Sequence, residues 1–589
     1  MKTPFTDAVE KASAPLPDYP RPQLKRSEWM CLNGQWDYAG GKSVPGAADP
    51  QKAFSFKDVN EKILVPFSPE SYLSGIQRNG EVNMWYRRTF KIPPTWKGKH
   101  VLLNFGAAAF YATAFINNKK IGTHTGSYDS FNFDITAYLK DGENTIVVAV
   151  QDLNNGKAPC GKCGPRGGSY TNFSGIWQTV WLEPVCSNYI EDIRLIPDVY
   201  GQRLKILVNS RQQAQVSAVV LNGTKIVAEN KSGTGQYFYI PVNHPLLWSP
   251  DTPFLYSLRL TLLDTKGNTQ DEVESYFGMR DIRLQKLNGV VRPFLNGKFT
   301  MQVGLLDQGY WPDGLMTAPT DNALKYDIET AKKAGFNLIR KHMKTEPQRW
   351  YYWCDKLGLM VWQDMPSIWY QNEDTGVVRG RFRDEWKKII DEHYNAPSIV
   401  TWVPFNENWG AFDVKEITGW TKQYDPSRLV DGNTGFNNNP SYQKAYGDPG
   451  NGDYVDTHIY VGPYGASMPD GKRAAALGEF GGIGLYVRKH LWPKFNNAYD
   501  FETTKQALTD RYVFLMDRVE QLMLYKGLSA SIYTQMTDME DEINGILTYD
   551  REVEKMDLEK VKEINKAIIQ SGRELNNPGI DFFTKDKSD

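Results

Sequence analysis

Along the chain, the alternation of hydrophobic and polar positions changes its period once. From Trp29 to about Val185, apolar residues come in short runs. Examples are Leu32-Asn33-Gly34-Gln35-Trp36, Trp85-Tyr86-Arg87-Arg88-Thr89-Phe90 and Thr145-Ile146-Val147-Val148-Ala149-Val150. Asn-Gly, Lys-Gly and Asp-Gly pairs punctuate them, which is the pattern of strands joined by tight turns. Residues 26–185 are therefore predicted to form an all-β jelly roll. Residues 186–284 hold a smaller β unit, with Leu204-Lys205-Ile206-Leu207-Val208 and Val216-Ser217-Ala218-Val219-Val220 as apolar or alternating runs. Its length suits an immunoglobulin-like sandwich. The Pro-rich residues 1–25 read as an arm laid across other domains.

After Leu295-Asn296-Gly297-Lys298 the period becomes helical, interrupted by short apolar strands. Helices are predicted over 322–334, 347–356, 383–394 and 552–571, and strands over 337–340 and 359–364. Such βα alternation over residues 285–575 predicts a (β/α)8 barrel, a TIM barrel, followed by a polar tail at 576–589.

A length of 589 residues suits three or four domains, so composition need not be forced into one core. The net charge of −1 supplies no field for nucleic acid or an anionic membrane. No apolar run is long enough to span a bilayer, so membrane insertion is not expected. The first residues lack an apolar leader core, which points to the cytoplasm or, if a leader was removed, to the periplasm or secretion. Aromatics make up 13% of the chain, with 17 Trp and 32 Tyr, which tilts the reading towards a carbohydrate partner with flat ring faces. Five cysteines make no disulfide framework. Cys160 and Cys163 form a lone Cys-x-x-Cys with no second pair for zinc, so they read as loop cysteines with at most one bridge.

The candidate chemistry centres on Ser398-Ile399-Val400-Thr401-Trp402-Val403-Pro404-Phe405-Asn406-Glu407. A β-branched apolar run ends abruptly in a carboxylate. A charge at the tip of a buried strand is costly unless used or paired, and strand tips are where barrels carry catalysis. Glu407 is therefore a candidate acid/base. Glu479 closes a second apolar run, Ala474-Ala475-Ala476-Leu477-Gly478. Two carboxylates on separate strand tips are what retaining glycoside hydrolysis needs, one as acid/base and one as nucleophile. Other tip residues are candidates for holding the sugar: Asp307, Arg340, His342, Asp364, Asn406, Trp409, His458, Tyr460, Tyr533 and Gln535. Arg340 is placed to keep a nucleophile ionised, and Asn406 to bind the sugar 2-hydroxyl. Trp402 reads as core packing, as do the first-domain aromatics, whereas for Trp362 and Trp369 core packing stands beside a pocket role.

The chain resembles glycoside hydrolase family 2, the family of β-galactosidases, β-glucuronidases and β-mannosidases. The resemblance rests on Leu32-Asn33-Gly34-Gln35-Trp36, Phe131-Asn132-Phe133-Asp134 and Ser174-Gly175-Ile176-Trp177-Gln178-Thr179-Val180-Trp181 in the first domain. In the barrel it rests on Gly335-Phe336-Asn337-Leu338-Ile339-Arg340, Phe405-Asn406-Glu407 and Gly478-Glu479-Phe480. It implies Glu407 as acid/base on the fourth barrel strand and Glu479 as nucleophile on the seventh, with His458 or Tyr460 on the sixth. Four departures stand out. His342 follows Arg340 by two positions rather than three. No His follows the first strand. The eighth strand ends in Tyr533-Thr534-Gln535 without Trp. Gln363-Asp364-Met365-Pro366 stands where some members carry a magnesium motif, so no metal or cofactor is expected. Where glucuronidases of the family place Asn-x-Lys for the sugar carboxylate, this chain reads Glu542-Ile543-Asn544-Gly545, and a glutamate repels a uronate. The expected activity is thus removal of a non-reducing terminal neutral sugar from an oligosaccharide, galactose first. Arabinose, galactofuranose and mannose stand behind it, and glucuronate last. A glycan-binding protein without catalysis and a transglycosidase are the competing readings. Homo-oligomerisation is left open.

Overall fold

The computed structural model describes residues 1–41, 44–152, 158–163, 170–368, 376–436, 447–493 and 496–577. Trp369 and most of the predicted tail lie outside the described residues. The first unit is a β-sandwich. A six-stranded antiparallel sheet runs Lys62–Val65, Gly34–Gly40, Asn83–Lys91, Glu143–Gln151, Tyr111–Ile116, Lys119–Thr125. It packs on a four-stranded sheet of Met30–Cys31, Val180–Val185, His100–Phe105 and Phe131–Asp134. Alternate side chains, among them Trp36, Tyr86, Val148, Leu103 and Leu182, meet between the layers, as the period of two requires.

The second unit packs a three-stranded sheet (Ile190–Asp198, Arg203–Ser210, Tyr237–Pro241) on a four-stranded one (Lys225–Gly233, Gln215–Asn222, Tyr256–Leu263, Thr269–Phe277). Seven antiparallel strands in two sheets make it immunoglobulin-like. Residues Ile282–Leu287, Val290–Leu295 and Lys298–Phe299 then form a small antiparallel sheet. It sits at the N-terminal ends of the barrel strands, where Arg292 donates to the Leu528 carbonyl at 2.9 Å.

Eight parallel strands build the barrel: β1 Gln302–Asp307, β2 Leu338–Lys341, β3 Met360–Asp364, β4 Ile399–Val403, β5 Leu429–Val430, β6 Tyr454–Tyr460, β7 Ala474–Gly481 and β8 Leu528–Thr534. Their order is 5-4-3-2-1-8-7-6. Between β5 and β6 the wall is closed by the Asp453 N–H, which donates to the Val430 carbonyl at 2.7 Å. Every strand but β6, which alternates buried and half-buried residues, has both faces buried. Trp362 packs inward on Tyr454, whereas Trp402 packs outward on Trp386. Both rings are core, as expected for Trp402 and as the packing now decides for Trp362; truncating one to Ala would cost about 3–5 kcal/mol. The last helix spans Leu558–Glu574 and not 552–571. Asp557 caps it by accepting the Glu559 N–H, so residues 552–557 stay outside the helix.

The helix Gly376–His393 faces the first sandwich. Its buried Glu385 accepts the Ser127 and Tyr128 N–H groups at 2.7 Å. The N-terminal arm crosses all three units. Thr3 and Thr6 donate to Asp313 of the barrel, Tyr19 and Arg21 donate to Glu183 of the sandwich, and Lys25 pairs with Glu274 of the second unit. No helix among the described residues is long and apolar enough to cross a membrane.

Candidate active site

β4 delivers Asn406 and Glu407 to the C-terminal mouth of the barrel. Glu407 and Asn408 both adopt left-handed backbone, φ +48° and +63°. Such positions cost about 1–3 kcal/mol for non-glycine residues and need support from outside. The support is present. The Glu407 N–H donates to the Thr434 carbonyl at 2.8 Å, the Asn408 N–H to Asn433 at 3.2 Å, and the Asn408 amide to the Phe436 carbonyl at 3.1 Å.

β7 carries Glu479, 6% exposed, inside the strand rather than at a helix start. Arg340 on β2 is its main support and is fully buried. One guanidinium nitrogen donates to Glu479 Oε1 at 3.1 Å and to the Gly478 carbonyl at 3.2 Å. The others grip both Asp364 oxygens at 3.1 and 2.9 Å and Asn406 Oδ1 at 2.7 Å. Tyr460 on β6 donates its hydroxyl to the second Glu479 oxygen. Burial alone would raise the Glu479 pKa, but His458, His342 and Arg340 outweigh it, and Glu479 titrates below the usual carboxylate range. Glu479 is thus held as an anion.

Glu407 is tied to His458, whose Nδ1 donates to Glu407 Oε1 at 2.6 Å. On the far side of the imidazole, Nε2 lies 2.9 Å from the Thr434 hydroxyl. Thr434 spends its own proton on Asp456, so its oxygen can accept from Nε2. Burial opposes a charged His458, yet Glu479 and Glu407 raise its pKa overall. Carboxylate oxygens of Glu407 and Glu479 lie within 4.8 Å of one another. That spacing is on the scale of a retaining pair, in which one carboxylate attacks a sugar protonated by the other.

A pocket of about 260 Å³ opens onto this pair. Of the sequence-predicted residues, His342, Asn406, Glu407, Trp409, Tyr460 and Glu479 line it. The unusual spacing of His342 from Arg340 does not remove it from the wall, where Nδ1 lies 3.0 Å from Asp364 and 4.0 Å from Glu479. Arg340 and His458 stand directly behind the carboxylates. Four expectations are corrected. Asp364 does not face the sugar, because Arg340 and His342 take its oxygens. Asp307 lies outside the pocket lining, bonded to Lys341 at 2.5 Å in a buried ion network with Glu346. Tyr533 packs on Phe480 and Tyr512 in the core. Gln535 sits one layer back, accepting from Gln308 and donating to Asn544, each at 2.6 Å.

The pocket also holds Lys162, Gln308, Asn497, Tyr499, Thr534 and Glu542. Tyr499 stacks on Tyr460 with ring centroids 3.5 Å apart. Of these, Thr534 and Glu542 stand in segments already singled out in the sequence, the end of the eighth strand and Glu542-Ile543-Asn544-Gly545, and Gln308 directly follows the strand-tip Asp307. Lys162 reaches in from the first sandwich, on the Cys160–Cys163 loop. Both cysteines are free thiols, and Cys163 contacts the Tyr310 hydroxyl at 2.9 Å. Among the described residues, two side-chain groups bring metal-ligating atoms within 4.8 Å: Glu407, His458 and Glu479, and His490, Asp550 and Glu552. In the first, the His458 Nδ1 proton and Glu407 are already engaged with each other.

Known proteins resemble this chain along most of its length. A model of the glycosyl hydrolases family 2 sugar binding domain matches residues 31–184. A second model of glycosyl hydrolases family 2 matches residues 188–280, and the family's TIM barrel domain matches residues 317–445. A putative beta-glucuronidase of Formosa agariphila is 26% identical over 76% of this chain and 41% of its own length. A beta-galactosidase of Thermoanaerobacter pseudethanolicus is 28% identical over 68% of this chain and 55% of its own. The chain thus spans about half the length of these relatives. The structure of a b-glucuronidase from Ruminococcus gnavus in complex with D-glucuronic acid superposes with a TM-score of 0.73 at 18% identity, covering 94% of this chain and all of that one. At that identity the likeness establishes the shared fold.

Proposed function

The chain belongs to glycosyl hydrolases family 2, and from that premise we propose a retaining exo-glycosidase that releases a terminal neutral sugar. The observation that carries the proposal is the Glu407–Glu479 pair, with oxygens within 4.8 Å of one another and one member held anionic. Glu479 attacks the anomeric carbon as Glu407 passes a proton to the leaving oxygen. Water, deprotonated by Glu407, then releases the sugar from Glu479. Asn406 is oriented for the 2-hydroxyl: Arg340 fixes its oxygen, which leaves the amide N–H groups to meet the ring.

The preference for a neutral sugar rests on Glu542, whose carboxylate lies on the pocket wall. A β-galactoside is the first candidate. A β-glucuronide is the second reading, favoured by the beta-glucuronidases among the relatives and by the presence of Lys162. A panel of nitrophenyl glycosides with Glu479→Ala as the blank tests the proposal. Hydrolysis of one of them with retained anomeric configuration by NMR, lost in Glu479→Ala, supports it. Activity surviving in that variant, or an inverted product, refutes it.

A further inference from the structure

Lys162 is an outlier in this site. It is the only Lys or Arg among the described pocket-lining residues, and it comes from a different domain. The loop that carries it is firmly seated. The Cys160 and Gly161 N–H groups both donate to the Ser367 carbonyl at 3.0 Å. Gly161 has φ +62°, and a Cβ there would lie 2.3 Å from the Met343 carbonyl oxygen. Only glycine fits so close an approach in this conformation. Cys163 anchors the other side through Tyr310 and the Thr171 carbonyl.

The loop thereby sets the Lys162 ammonium 3.9 Å from Glu542 and over the Tyr170 ring at 5.6 Å. Both members of the pair are largely buried, 17% and 18% exposed. Glu542 is positioned in turn by Tyr170, which donates at 2.5 Å, and by the Asn544 amide at 3.2 Å. Two opposite charges at this separation on one wall present a compact donor next to an acceptor. Lys162 can donate to one sugar oxygen as Glu542 accepts the proton of another.

We propose that Lys162 and Glu542 form a charge-compensated recognition pair, contributed by two domains, that selects neutral polyhydroxyl sugars over carboxylate-bearing ones. The inference deepens the proposed function and rests on it. An anionic substituent near Lys162 meets the Glu542 carboxylate as well, and like charges in a half-buried site oppose each other. With Glu542 neutralised, the same ammonium becomes an anion receptor. The selectivity thus lies in the balance of the pair rather than in either residue alone.

The test compares wild type, Glu542→Gln, Lys162→Met and the double variant. The readout is the ratio of kcat/KM for nitrophenyl β-glucuronide to that for nitrophenyl β-galactoside. Glu542→Gln should raise the ratio about tenfold or more, the scale of one partly desolvated charge contact. The double variant should return it to within about twofold of Lys162→Met. An unchanged ratio in Glu542→Gln, or a gain that persists without Lys162, overturns the pair. The change in the ratio tests the pair, and the wild-type preference tests the sugar assignment, so the two fail separately. If wild type hydrolyses neither glycoside, the same ratio is read from calorimetric binding of D-glucuronate and D-galactose to the four proteins.

Discussion

Replacing Arg340 by Met should convert the nucleophile from an anion into a titrating acid. In the native site a guanidinium nitrogen lies 3.1 Å from Glu479 Oε1, which puts the charge centres roughly 4 Å apart. At the effective dielectric of a protein site, that pair is worth about 4 kcal/mol, the equivalent of up to about 3 pKa units at 1.36 kcal/mol each. Tyr460 and His458 still face the carboxylate and recover part of the loss, so about 1–3 units is the expected rise. A nucleophile must be ionised, so the rate falls about tenfold for each pH unit below its pKa. The acidic limb of kcat/KM should therefore move up by about 1–3 pH units. Arg340→Lys keeps a charge but not the fork that holds Asp364 and Asn406, and should move the limb by less than about 1 unit. Arg340→Met also leaves the Asp364 carboxylate buried without its cation and should lower unfolding stability by about 3–5 kcal/mol. Rates are accordingly measured below the variant's own melting temperature, with folding checked by near-UV circular dichroism. A folded Arg340→Met enzyme with an unmoved acidic limb would refute the assigned role of Arg340.

Two further predictions concern support away from the pocket. Burial, with the Asp129 charge adding to it, pushes the Glu385 carboxyl up to about 8. Its folded pKa exceeds the unfolded one, so its contribution to stability is complete below about pH 4 and declines as pH rises through 8. Glu385→Gln has no such decline. Relative to wild type it should gain about 1–3 kcal/mol between pH 5 and pH 8 in denaturant melts, and a constant difference would contradict the shift. Gly435 has φ +60°, and a Cβ there would lie 2.3 Å from the His458 ring. Gly435→Ala should displace that ring from Glu407 and lower kcat by about tenfold or more, although residue 435 does not line the pocket. Unchanged turnover would show that the His458–Glu407 contact is dispensable.

Most of the architecture was legible because it rests on local periodicity. The sandwich strands alternate by two, and the barrel strands are apolar runs between helical stretches. The catalytic pair was legible for a related reason. Glu407 and Glu479 each close an apolar run of the sequence, and a charge in that position has few structural uses. The errors came where partner choice is tertiary. Asp307 and Asp364 occupy strand tips as Glu407 does, but Lys341 and Arg340 lie across from them and take their oxygens. Nothing along the chain distinguishes a carboxylate that faces a cation from one that faces a cavity. β5 is two residues long and carries no period at all. Lys162 was invisible for a different reason. It lies 317 positions from Glu479, in another domain, and only the packing of Gly161 on Met343 brings it to the pocket.

The arm that crosses the three units has a consequence for synthesis. Thr3 finds its hydroxyl partner in Asp313, 310 positions later in the chain. At typical translation rates of about 5–20 residues per second, that partner emerges roughly 15–60 s after Thr3 does. During that interval the sandwich can close, since its own strands are complete by Val185, but the arm has nothing to dock against on the barrel side. The segment around Thr3 and Thr6 therefore leaves the ribosome well before its barrel partner and settles only once that partner arrives. In that window a protease or a chaperone meets it undocked.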